Sequence, residues 1–536
     1  MGARRSTKDL GEAARAETMT SERVLVLLPG QEWVESWVVA VVTELREHGS
    51  DVIAARLPFL GSSAFASGLI RPFRFSGSVR AGEQDGTRRE PLAVLDIAAM
   101  RWDGTAPPAN TTLVVDLSGT VGYRPAHASE PAVIRPAFGP HRATSAPAGV
   151  ADSMLDGTCV HQIEVLRDDG VSMFVVGRAT VALDAASWTR GLNMTLWKAS
   201  ELIARSVRRP DPEQHAAGVV DAASTSTARV ARARVRAAAR LAWESATRLV
   251  SYPAWGVALQ RLAADDADAI PNTANVSQLE TTWLYGSHGL ADPFLFPVDG
   301  STYLFVEQFN GAGKPASIAV SRIRADGTAE APREVLRRPY HLSYPFVFED
   351  GGDIWLVPES CANRCITLFA AKDFPTSWEE HTVLVDRIDA VDATIHRDDT
   401  GTYWLWTAVA RRGRQHHHDL WLFHSKALTG PWQPHPDNPV VDDPRYARPA
   451  GPLLEAEGCL LRPAQTGLGR YGARMVLNEI LELSPEHYRE RPAATIEPSW
   501  SEGLILTHTI GRAGGWQTLD GARRAHKPFP LGRAGR

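Results

Sequence analysis

Four stretches in the second half of the chain decide the fold: DPFLFPVDGSTYLFVE (292–307), YPFVFEDGGDIWLVPES (344–360), VDATIHRDDTGTYWLWTA (391–408) and AGPLLEAEGCLLRPAQ (450–465). Each joins aromatic or branched strand residues through an acidic or glycine turn. The turn glycines lie at 300, 352, 401 and 458, with spacings of 52, 49 and 57 residues. Short strands repeated at a period of about fifty residues are typical of β-propeller blades.

A fifth blade is predicted from the strand pair LILTHTI and GWQTLDG within 504–521. An earlier strand, such as Ala254 to Leu262, would complete this blade and close the ring. We therefore expect residues 250–525 to form one five-bladed β-propeller.

The first half of the chain predicts an α/β domain. RVLVLL (23–28) reads as a buried strand, a helical pattern follows from Val34 to Glu47, and DVIAAR (51–56) reads as a second strand. LVVDL (113–117), strands within 158–184 and a helix over 186–207 extend this pattern to an open α/β domain over 23–207. The Ala- and Arg-rich segment 208–249 predicts a helical connector packed on a neighbour.

Composition limits the class of protein. The chain has 536 residues, 44% of them hydrophobic and 22% charged, so it is long enough for two or three domains and is not disordered throughout. A net charge of −5 gives no general reason to bind nucleic acid or an anionic membrane. Four cysteines fit a reducing compartment.

The sequence favours a cytoplasmic location. Residues 1–22 lack the apolar region of a secretory signal, and no run of eighteen apolar residues predicts a membrane span. Residues 1–22 and 526–536 are expected to be disordered tails. The oligomeric state stays open.

Several linked motifs resemble a known family. ADPFLF, HLSYPFVFEDGGDIWLVPES, LTGPWQPHPDNPV, ARPAGPLLEAEGCLLRPAQ and HTIGRAGGWQTLDG are similar to the N-terminal propeller domain of plant glucosamine inositolphosphorylceramide transferases. The first motif also resembles the opening blade of the five-bladed glycoside hydrolase family 43. The resemblance covers about half of the chain and implies a carbohydrate ligand. It does not imply the reaction, because glycosyl transfer in the plant proteins belongs to a separate domain without a counterpart here.

The N-terminal region resembles a degenerate formyltransferase-like, Rossmann-type domain. Formyltransferases use an Asn-His-Asp set, but the loop TVGYRPAHASEPAVIRPAFGPH (120–141) contains no Asn followed by the expected His motif. The resemblance therefore implies the fold without its chemistry, with His127, His141 and Asp152 left as individual candidates.

Four carboxylates are the catalytic candidates. Asp292 and Asp392 begin innermost strands that face the propeller channel, while Glu307 and Glu359 each end a following strand. Glycosidic cleavage needs one carboxylic acid to protonate the leaving oxygen and a second carboxylate to activate water or attack carbon. The same residues read equally well as structural caps of strands and turns.

The resemblance to family 43 implies roles for some of these residues. Asp292 matches the general base and Asp392 matches the aspartate that tunes the acid. The family's acid, a glutamate of the fourth blade, is missing from ARPAGPLL, where Arg448 lies near the expected position. We therefore expect Glu359, or else Glu307, to supply the acid.

A second set of residues predicts substrate binding: His341, Tyr344, Arg448, Arg462 and Gln465. Arginine forks suit a carboxylate or phosphate, so the ligand would be an anionic sugar or sugar conjugate. The alternative is that each arginine pairs with a carboxylate inside the propeller. Four tryptophans, Trp283, Trp355, Trp404 and Trp406, are expected in the core rather than on a sugar ring.

Neither a metal site nor a cofactor is predicted. His416, His417 and His418 precede Asp419, but adjacent residues of a strand point to opposite faces, so a solvent loop is favoured. Cys361 and Cys365 have no second cysteine pair with which to hold zinc. A structural cation in the propeller channel is compatible with the sequence.

We thus predict a carbohydrate-active protein with glycoside hydrolase or glycosyl-transfer chemistry in the propeller funnel. Two alternatives stay open. In the first, the propeller only binds glycans or serves as a scaffold. In the second, the N-terminal domain transfers a formyl or acyl group to an amino sugar.

Overall fold

A computed structural model describes the chain over residues 22–28, 33–56, 87–95, 99–101, 106–119, 123–208, 215–216, 227–411, 416 and 418–527. In these ranges no helix is both long enough and apolar enough to cross a membrane. Nearly all of the two predicted tails, most of the first half of the predicted connector, and His417 lie outside the described residues.

The N-terminal part contains an eight-stranded mixed sheet in the order β10-β9-β8-β7-β6-β1-β3-β5, with a separate β2–β4 pair. The strands are β1 Arg23–Leu28, β2 Trp33–Glu35, β3 Asp51–Arg56, β4 Arg89–Pro91, β5 Ala99–Arg101, β6 Leu113–Asp116, β7 Ala132–Phe138, β8 Val160–Asp168, β9 Met173–Ala182 and β10 His215–Ala216. The helices are α1 Ser36–Glu47, α2 Ala146–Leu155, α3 Trp188–Arg208 and α4 Thr227–Val250. The predicted opening β-α-β unit is confirmed, because β1 and β3 pair in parallel around α1.

The sheet is parallel from β5 to β7 and antiparallel from β7 to β10. Strands β1, β6 and β7 are mostly apolar and buried along nearly their whole length, as expected for the covered strands of a parallel sheet. One apolar core joins these strands to α1, α2, α3 and the first half of α4.

The C-terminal part is a five-bladed β-propeller, as the sequence period predicts. Two strands, β11 Ser251–Arg261 and β12 Thr281–Leu284, and two short helices, α5 Ala264–Asp268 and α6 Thr273–Gln278, come before four consecutive blades. The first two blades hold β13 Leu290–Val298, β14 Ser301–Gln308, β15 Ser317–Ile323 and β16 Arg333–Leu336, then β17 Ser343–Asp350, β18 Asp353–Glu359, β19 Cys365–Asp373 and β20 Ser377–Asp386.

The next two blades hold β21 Ala390–Arg397, β22 Tyr403–Val409, β23 Leu420–Ser425 and β24 Gln433–Pro434, then β25 Arg448–Pro449, β26 Leu454–Ala456, β27 Cys459–Gln465, β28 Met475–Leu483 and β29 Tyr488–Ile496. The fifth blade unites both ends of the propeller sequence. Its C-terminal strands are β30 Leu504–Leu506, β31 Ile510–Ala513 and β32 Trp516–His526.

The ring closes as predicted, because β11 pairs with β32 along its whole length, from Ser251 opposite His526 to Arg261 opposite Trp516. The tryptophans of the middle strands lie in the core, as expected: Trp404 and Trp406 are fully buried and Trp355 is nearly so. None of the four cysteines, all of which lie in described segments, forms a disulfide.

A buried ion-pair network joins the two parts of the chain. Lys198 of α3 contacts Asp419 of the propeller at 2.8 Å, and both side chains are almost completely buried. Lys198 also lies 3.7 Å from Asp442, which accepts a hydrogen bond from Arg205 at 2.5 Å. The ring of His418 accepts a hydrogen bond from the backbone of Ala182.

His418 and Asp419 are therefore buried at the contact with the N-terminal part, whereas the sequence predicted a solvent loop. His416 pairs with Asp389 at 2.7 Å, whereas His418 faces β9. These two histidines thus contact different parts of the molecule.

Candidate functional site at the propeller channel

The five blades bring equivalent residues together at one end of the channel. In the first three blades these residues are Asp292, Tyr344 and Asp392, with backbone φ angles of +48°, +45° and +57°. Each lies at an irregularity in the pairing of the first two strands of its blade. The equivalent residues of the fourth and fifth blades are Gly451 and His508. A bulge re-aims a side chain. Hydrogen bonds that join Asp292, Tyr344 and Gly451 show that these residues meet where the blades converge, and we call this place the channel mouth.

Tyr344 connects two members of this ring. Its hydroxyl contacts Thr394 at 2.8 Å, donates to the Gly451 carbonyl at 2.9 Å and accepts from the Gly451 N–H at 2.8 Å. Burial raises the pKa of this hydroxyl far above its usual value. Tyr344 was predicted to bind substrate. It is instead fully buried, and its hydrogen bonds join the second blade to the third and fourth blades.

Asp292 lies at the floor of the mouth and is 4% exposed. One of its carboxylate oxygens accepts from the Thr509 hydroxyl at 2.7 Å, and the other accepts from the Tyr344 N–H at 3.1 Å. Burial raises the pKa of Asp292, and the charge of His508 opposes that rise.

His508 and Asp520 form a buried pair beside Asp292. The Nδ1 atom of His508 is hydrogen-bonded to Asp520 and lies 3.8 Å from Asp292. Burial would lower the pKa of His508, but the charge of Asp520 and the hydrogen bond to it dominate and raise the pKa to about 9. The imidazole is therefore cationic at neutral pH and compensates the carboxylates around it.

These three residues also meet the geometric condition for a cation site. Asp292, His508 and Asp520 offer ligand atoms that lie within 4.8 Å of one another. Because the same atoms already hydrogen-bond to protein groups, the arrangement is complete as a hydrogen-bonded cluster.

Asp392 is held by two partners of the fourth blade. Arg448 Nε donates to it at 2.6 Å and Gln465 Nε2 donates at 3.2 Å. Burial raises the pKa of Asp392 to about 6, although the charge of Arg448 acts in the opposite direction. Gln465 also donates to the Pro449 carbonyl at 3.0 Å. Arg448 and Gln465, predicted to bind substrate, thus hold a floor carboxylate.

Glu307 lies near Asp292, and its partner His341 is half exposed to solvent. It is paired with Ala291, the residue before Asp292, and its side chain is 6% exposed. His341 Nε2 lies 3.1 Å from Glu307 Oε1, with half of the histidine side chain exposed. Burial raises the pKa of Glu307 to about 7, the hydrogen bond to His341 lowers it, and the nearby charge of Asp292 raises it.

Glu359 occupies the equivalent position of the second blade, opposite Ser343. Both of its oxygens are engaged, one by the Ser343 hydroxyl at 2.7 Å and the other by the Cys361 N–H at 2.7 Å. Because both oxygens of Glu359 accept short hydrogen bonds within its own blade, this carboxylate fits a structural role better than that of a proton donor.

Arg462 does not join the other candidates. Its guanidinium is buried in the fourth blade, where it pairs with Glu490 at 2.6 Å and donates to the Tyr446 carbonyl at 2.6 Å. Arg462 thus follows the alternative stated above, in which an arginine pairs with a carboxylate inside the propeller and does not bind a ligand.

Two aromatic rings, those of Trp255 and Tyr471, lie against the buried His508. Trp255 stacks on His508 with 4.5 Å between ring centroids, and Tyr471 meets the same imidazole edge-on at 4.9 Å. The Arg448 guanidinium lies 5.2 Å from the centre of the Tyr471 ring. Tyr471 is 42% exposed, so it offers a ring face or edge to a ligand at the rim.

Sequence reasoning missed His508, Asp520, Trp255 and Tyr471 as members of this site. A signal for His508 was present, because THTI (507–510) aligns with the strand openings that carry Asp292 and Asp392. Trp255 and Asp520 depend on the closure of the ring, which brings β11 and β32 to the first blade.

Comparisons with known proteins find a similar family and similar solved structures. Residues 259–500 match the family model described as "Glucosamine inositolphosphorylceramide transferase 1, N-terminal". The propeller resembles the N-terminal domain of these transferases. The protein of that name from Oryza sativa subsp. japonica is 34% identical over 254 residues, which are 45% of this chain and 34% of the relative.

The protein of the same name from Arabidopsis thaliana is 33% identical over 208 residues, which are 38% of this chain and 27% of the relative. The chain thus spans about a third of the length of the curated relatives it matches.

Solved structures of glycoside hydrolases are also similar. A GH43_1 enzyme from Xanthomonas citri is 14% identical with a TM-score of 0.32, covering 44% of this chain and 87% of that one. A xylan beta-1,4-xylosidase from Bacillus halodurans is 19% identical with a TM-score of 0.25, covering 40% and 45%. Such scores are too low to match individual residues, and the five-bladed fold rests on the five sheets of this chain.

Proposed function

We propose that the channel mouth binds a sugar conjugate and catalyses cleavage or transfer at its glycosidic bond. The observation that carries the proposal is the pair formed by Glu307 and Asp292, two buried carboxyl groups whose pKa values burial raises at one site. With a pKa of about 7, Glu307 is about half protonated at neutral pH and more so below it, as a general acid requires.

The roles differ from those preferred at the level of sequence. Glu307 donates the proton to the leaving oxygen, and His341 at the rim orients it. Asp292 takes a proton from the attacking water or acceptor hydroxyl, or attacks carbon directly. Glu359 keeps its hydrogen bonds within the second blade, and Asp392 with Arg448 fixes the floor.

The proposed ligand class follows from the relatives and the rim. The plant relatives carry a name that joins glucosamine with inositolphosphorylceramide, so a sugar linked to an inositol phosphate is the first class to test. The half-exposed His341 and the ring of Tyr471 are the groups that would meet it. A cytosolic conjugate of this kind fits the location proposed from the sequence.

A binding role without catalysis is the second candidate. It is favoured by the hydrogen bonds that occupy both oxygens of Asp292, and by the glycine at the position equivalent to Asp292 in the fourth blade. On this alternative the same mouth holds the sugar and releases it unchanged.

The formyl- or acyltransferase alternative finds less support. His127 contacts Ser129 and Glu130, and Asp152 pairs with Arg229 of α4 at 2.7 Å. These contacts tie His127 and Asp152 to their local surroundings, and the described residues of the N-terminal part bring neither of them to a second candidate group.

The test compares binding and product formation for the wild-type chain, Glu307→Gln and Asp292→Asn. Calorimetry with glucosamine, glucuronic acid and their inositol phosphate conjugates measures binding, and chromatography measures released or transferred sugar. We expect Glu307→Gln to bind the conjugate and to lose product formation by about a hundredfold or more.

The matched control is Glu349→Gln, which changes an exposed glutamate of β17 outside the mouth. Binding without product from the wild-type chain would establish the second candidate. Loss of product in the control to the same extent would contradict the role of Glu307.

A further inference from the structure

Helix α4 has two halves with different surroundings. In the first half, Val230, Ala233 and Ala237 are buried against the N-terminal domain. Arg236 of this half donates to the Leu155 carbonyl of α2 at 2.8 Å. From residue 238 to residue 250 no side chain is buried, so the second half projects from the core.

This second half and the start of β11 expose four large apolar side chains. Trp243 is 71% exposed, Leu249 76%, Val250 45% and Tyr252 47%. We call Trp243, Leu249, Val250 and Tyr252 the α4 patch. A single exposed leucine is ordinary, but four large exposed apolar side chains within ten residues, two of them aromatic, indicate an interaction surface.

Four cationic residues lie on the chain segments of the α4 patch or next to them. Arg240 and Arg248 are on the same half of the helix, are largely exposed and both pair with Glu244. Arg524 and Lys527 of the neighbouring chain segment are also exposed, and Lys527 donates to the Arg248 carbonyl at 2.7 Å. The only acid between residues 238 and 252 is Glu244. The local charge is thus positive on a chain whose net charge is −5.

Strand β11 connects the α4 patch to the site around His508. Trp255 of β11 stacks on His508 at the mouth, and Ser251 lies four residues earlier on the same strand. Four residues of extended strand span about 13 Å, so the end of α4 lies about this far along β11 from Trp255.

We propose that the α4 patch docks on the surface of an anionic lipid bilayer, with the second half of α4 in the headgroup region. Tryptophan and tyrosine suit this region because each ring has an apolar body and a polar tip. Juxtaposed lysine and arginine are attracted by anionic headgroups. A symmetric pairing of two copies would instead bring these like charges together.

Docking of this kind has a consequence that rests on the proposed function. The channel mouth would open near the bilayer surface, where a sugar conjugate carried by a lipid is presented. The docking itself needs no assumption about catalysis.

The test is flotation of the full chain with two kinds of vesicle, one of phosphatidylcholine alone and one containing roughly one-third phosphatidylserine. We expect flotation with the anionic vesicles and its decrease as sodium chloride is raised, because salt screens the attraction. The double change Trp243→Ser with Leu249→Ser is expected to weaken vesicle binding about tenfold or more. The reason is that it removes the apolar area that docking would bury in the bilayer.

Val171→Ser is the matched control, because Val171 is 75% exposed at a turn of the N-terminal domain far in sequence from the patch. It should bind vesicles as the wild-type chain does. Near-ultraviolet circular dichroism checks that the patch variant keeps its fold, which the exposure of both side chains favours.

Three results would overturn the proposal: no binding to anionic vesicles, equal binding by the patch variant, or a concentration-dependent dimer that the patch variant abolishes. The last result would assign the patch to a second copy of the chain. Turnover or binding of a soluble sugar conjugate by the patch variant reports on the channel mouth separately, so failure of docking and failure of the proposed function are distinguishable.

Discussion

At the scale of single residues, the sequence identified the carboxylates of the site more readily than the residues that hydrogen-bond to them. The repeat places Asp292 and Asp392 at the channel from sequence alone. It does not show that Arg448 holds Asp392 at 2.6 Å, because that contact joins residues 56 positions apart on different blades. A buried arginine needs a carboxylate, and sequence cannot say whether the protein or the ligand supplies it.

The acid assignment changes for the same reason. Glu307 and Glu359 occupy equivalent positions and read alike in sequence. They differ through neighbours from other segments: His341 contacts Glu307, whereas Ser343 and Cys361 hold Glu359.

The pH dependence of activity tests the role of Glu307. General acid catalysis needs its protonated form, so turnover is expected to fall as pH rises through about 7, the pKa of this group. The hydrogen bond from His341 lowers the pKa of Glu307. His341→Ala should therefore move the falling limb of the pH profile to higher pH.

The profile is measured as kcat/KM against pH on the conjugate that the wild-type chain turns over. His381→Ala, which changes a histidine packed edge-on against Trp355 in the same blade, serves as the control and should leave the limb in place. An unchanged limb in His341→Ala, or a shift to lower pH, would contradict the assignment.

At the scale of elements, the period of about fifty residues predicted the blades because each blade repeats the same strands and turns. It did not predict the left-handed backbone at Asp292, Tyr344 and Asp392. Glycine usually marks such positions, and these three are not glycine. The conformation is fixed by packing between blades, which a strand pattern does not contain.

Gly451 is the position where this geometry is most restrictive. Its φ is +134°, and a Cβ there would lie 2.0 Å from the Ile510 carbonyl oxygen. Gly451→Ala is therefore expected to lower the free energy of unfolding by about 3 kcal/mol or more.

Gly458→Ala is the comparison, because its φ of +73° is left-handed but a Cβ there meets nothing within 4 Å. It should cost only about 1–2 kcal/mol. Urea unfolding followed by tryptophan fluorescence measures both variants, and equal losses would show that the blade interface tolerates movement at Gly451.

At the scale of the whole molecule, the sequence predicted two structural parts and a helical connector, but not the buried contact between the two parts. The HHHD segment read as a solvent loop, whereas Asp419 pairs with Lys198 of α3 inside the interface. No local sequence pattern links Lys198 to Asp419, because the two residues are 221 positions apart in the chain.

Replacing Lys198 tests how far this interface stabilises the protein. Lys198→Met leaves the buried Asp419 without its lysine partner, and breaking such a pair costs about 3–5 kcal/mol. We expect a clear decrease in the denaturation midpoint of the full chain.

Arg240→Met removes an exposed partner of Glu244 and should change the midpoint little. If both variants unfold like the wild-type chain, the interface does not contribute to stability.

The central claim, that the channel mouth is the carbohydrate site, is tested most directly by a crystal structure of Glu307→Gln grown with the sugar conjugate that binds best. The account predicts sugar density between Gln at position 307, His341 and the ring of Tyr471, above Asp292. Density elsewhere on the chain, with the mouth filled only by solvent, would contradict it.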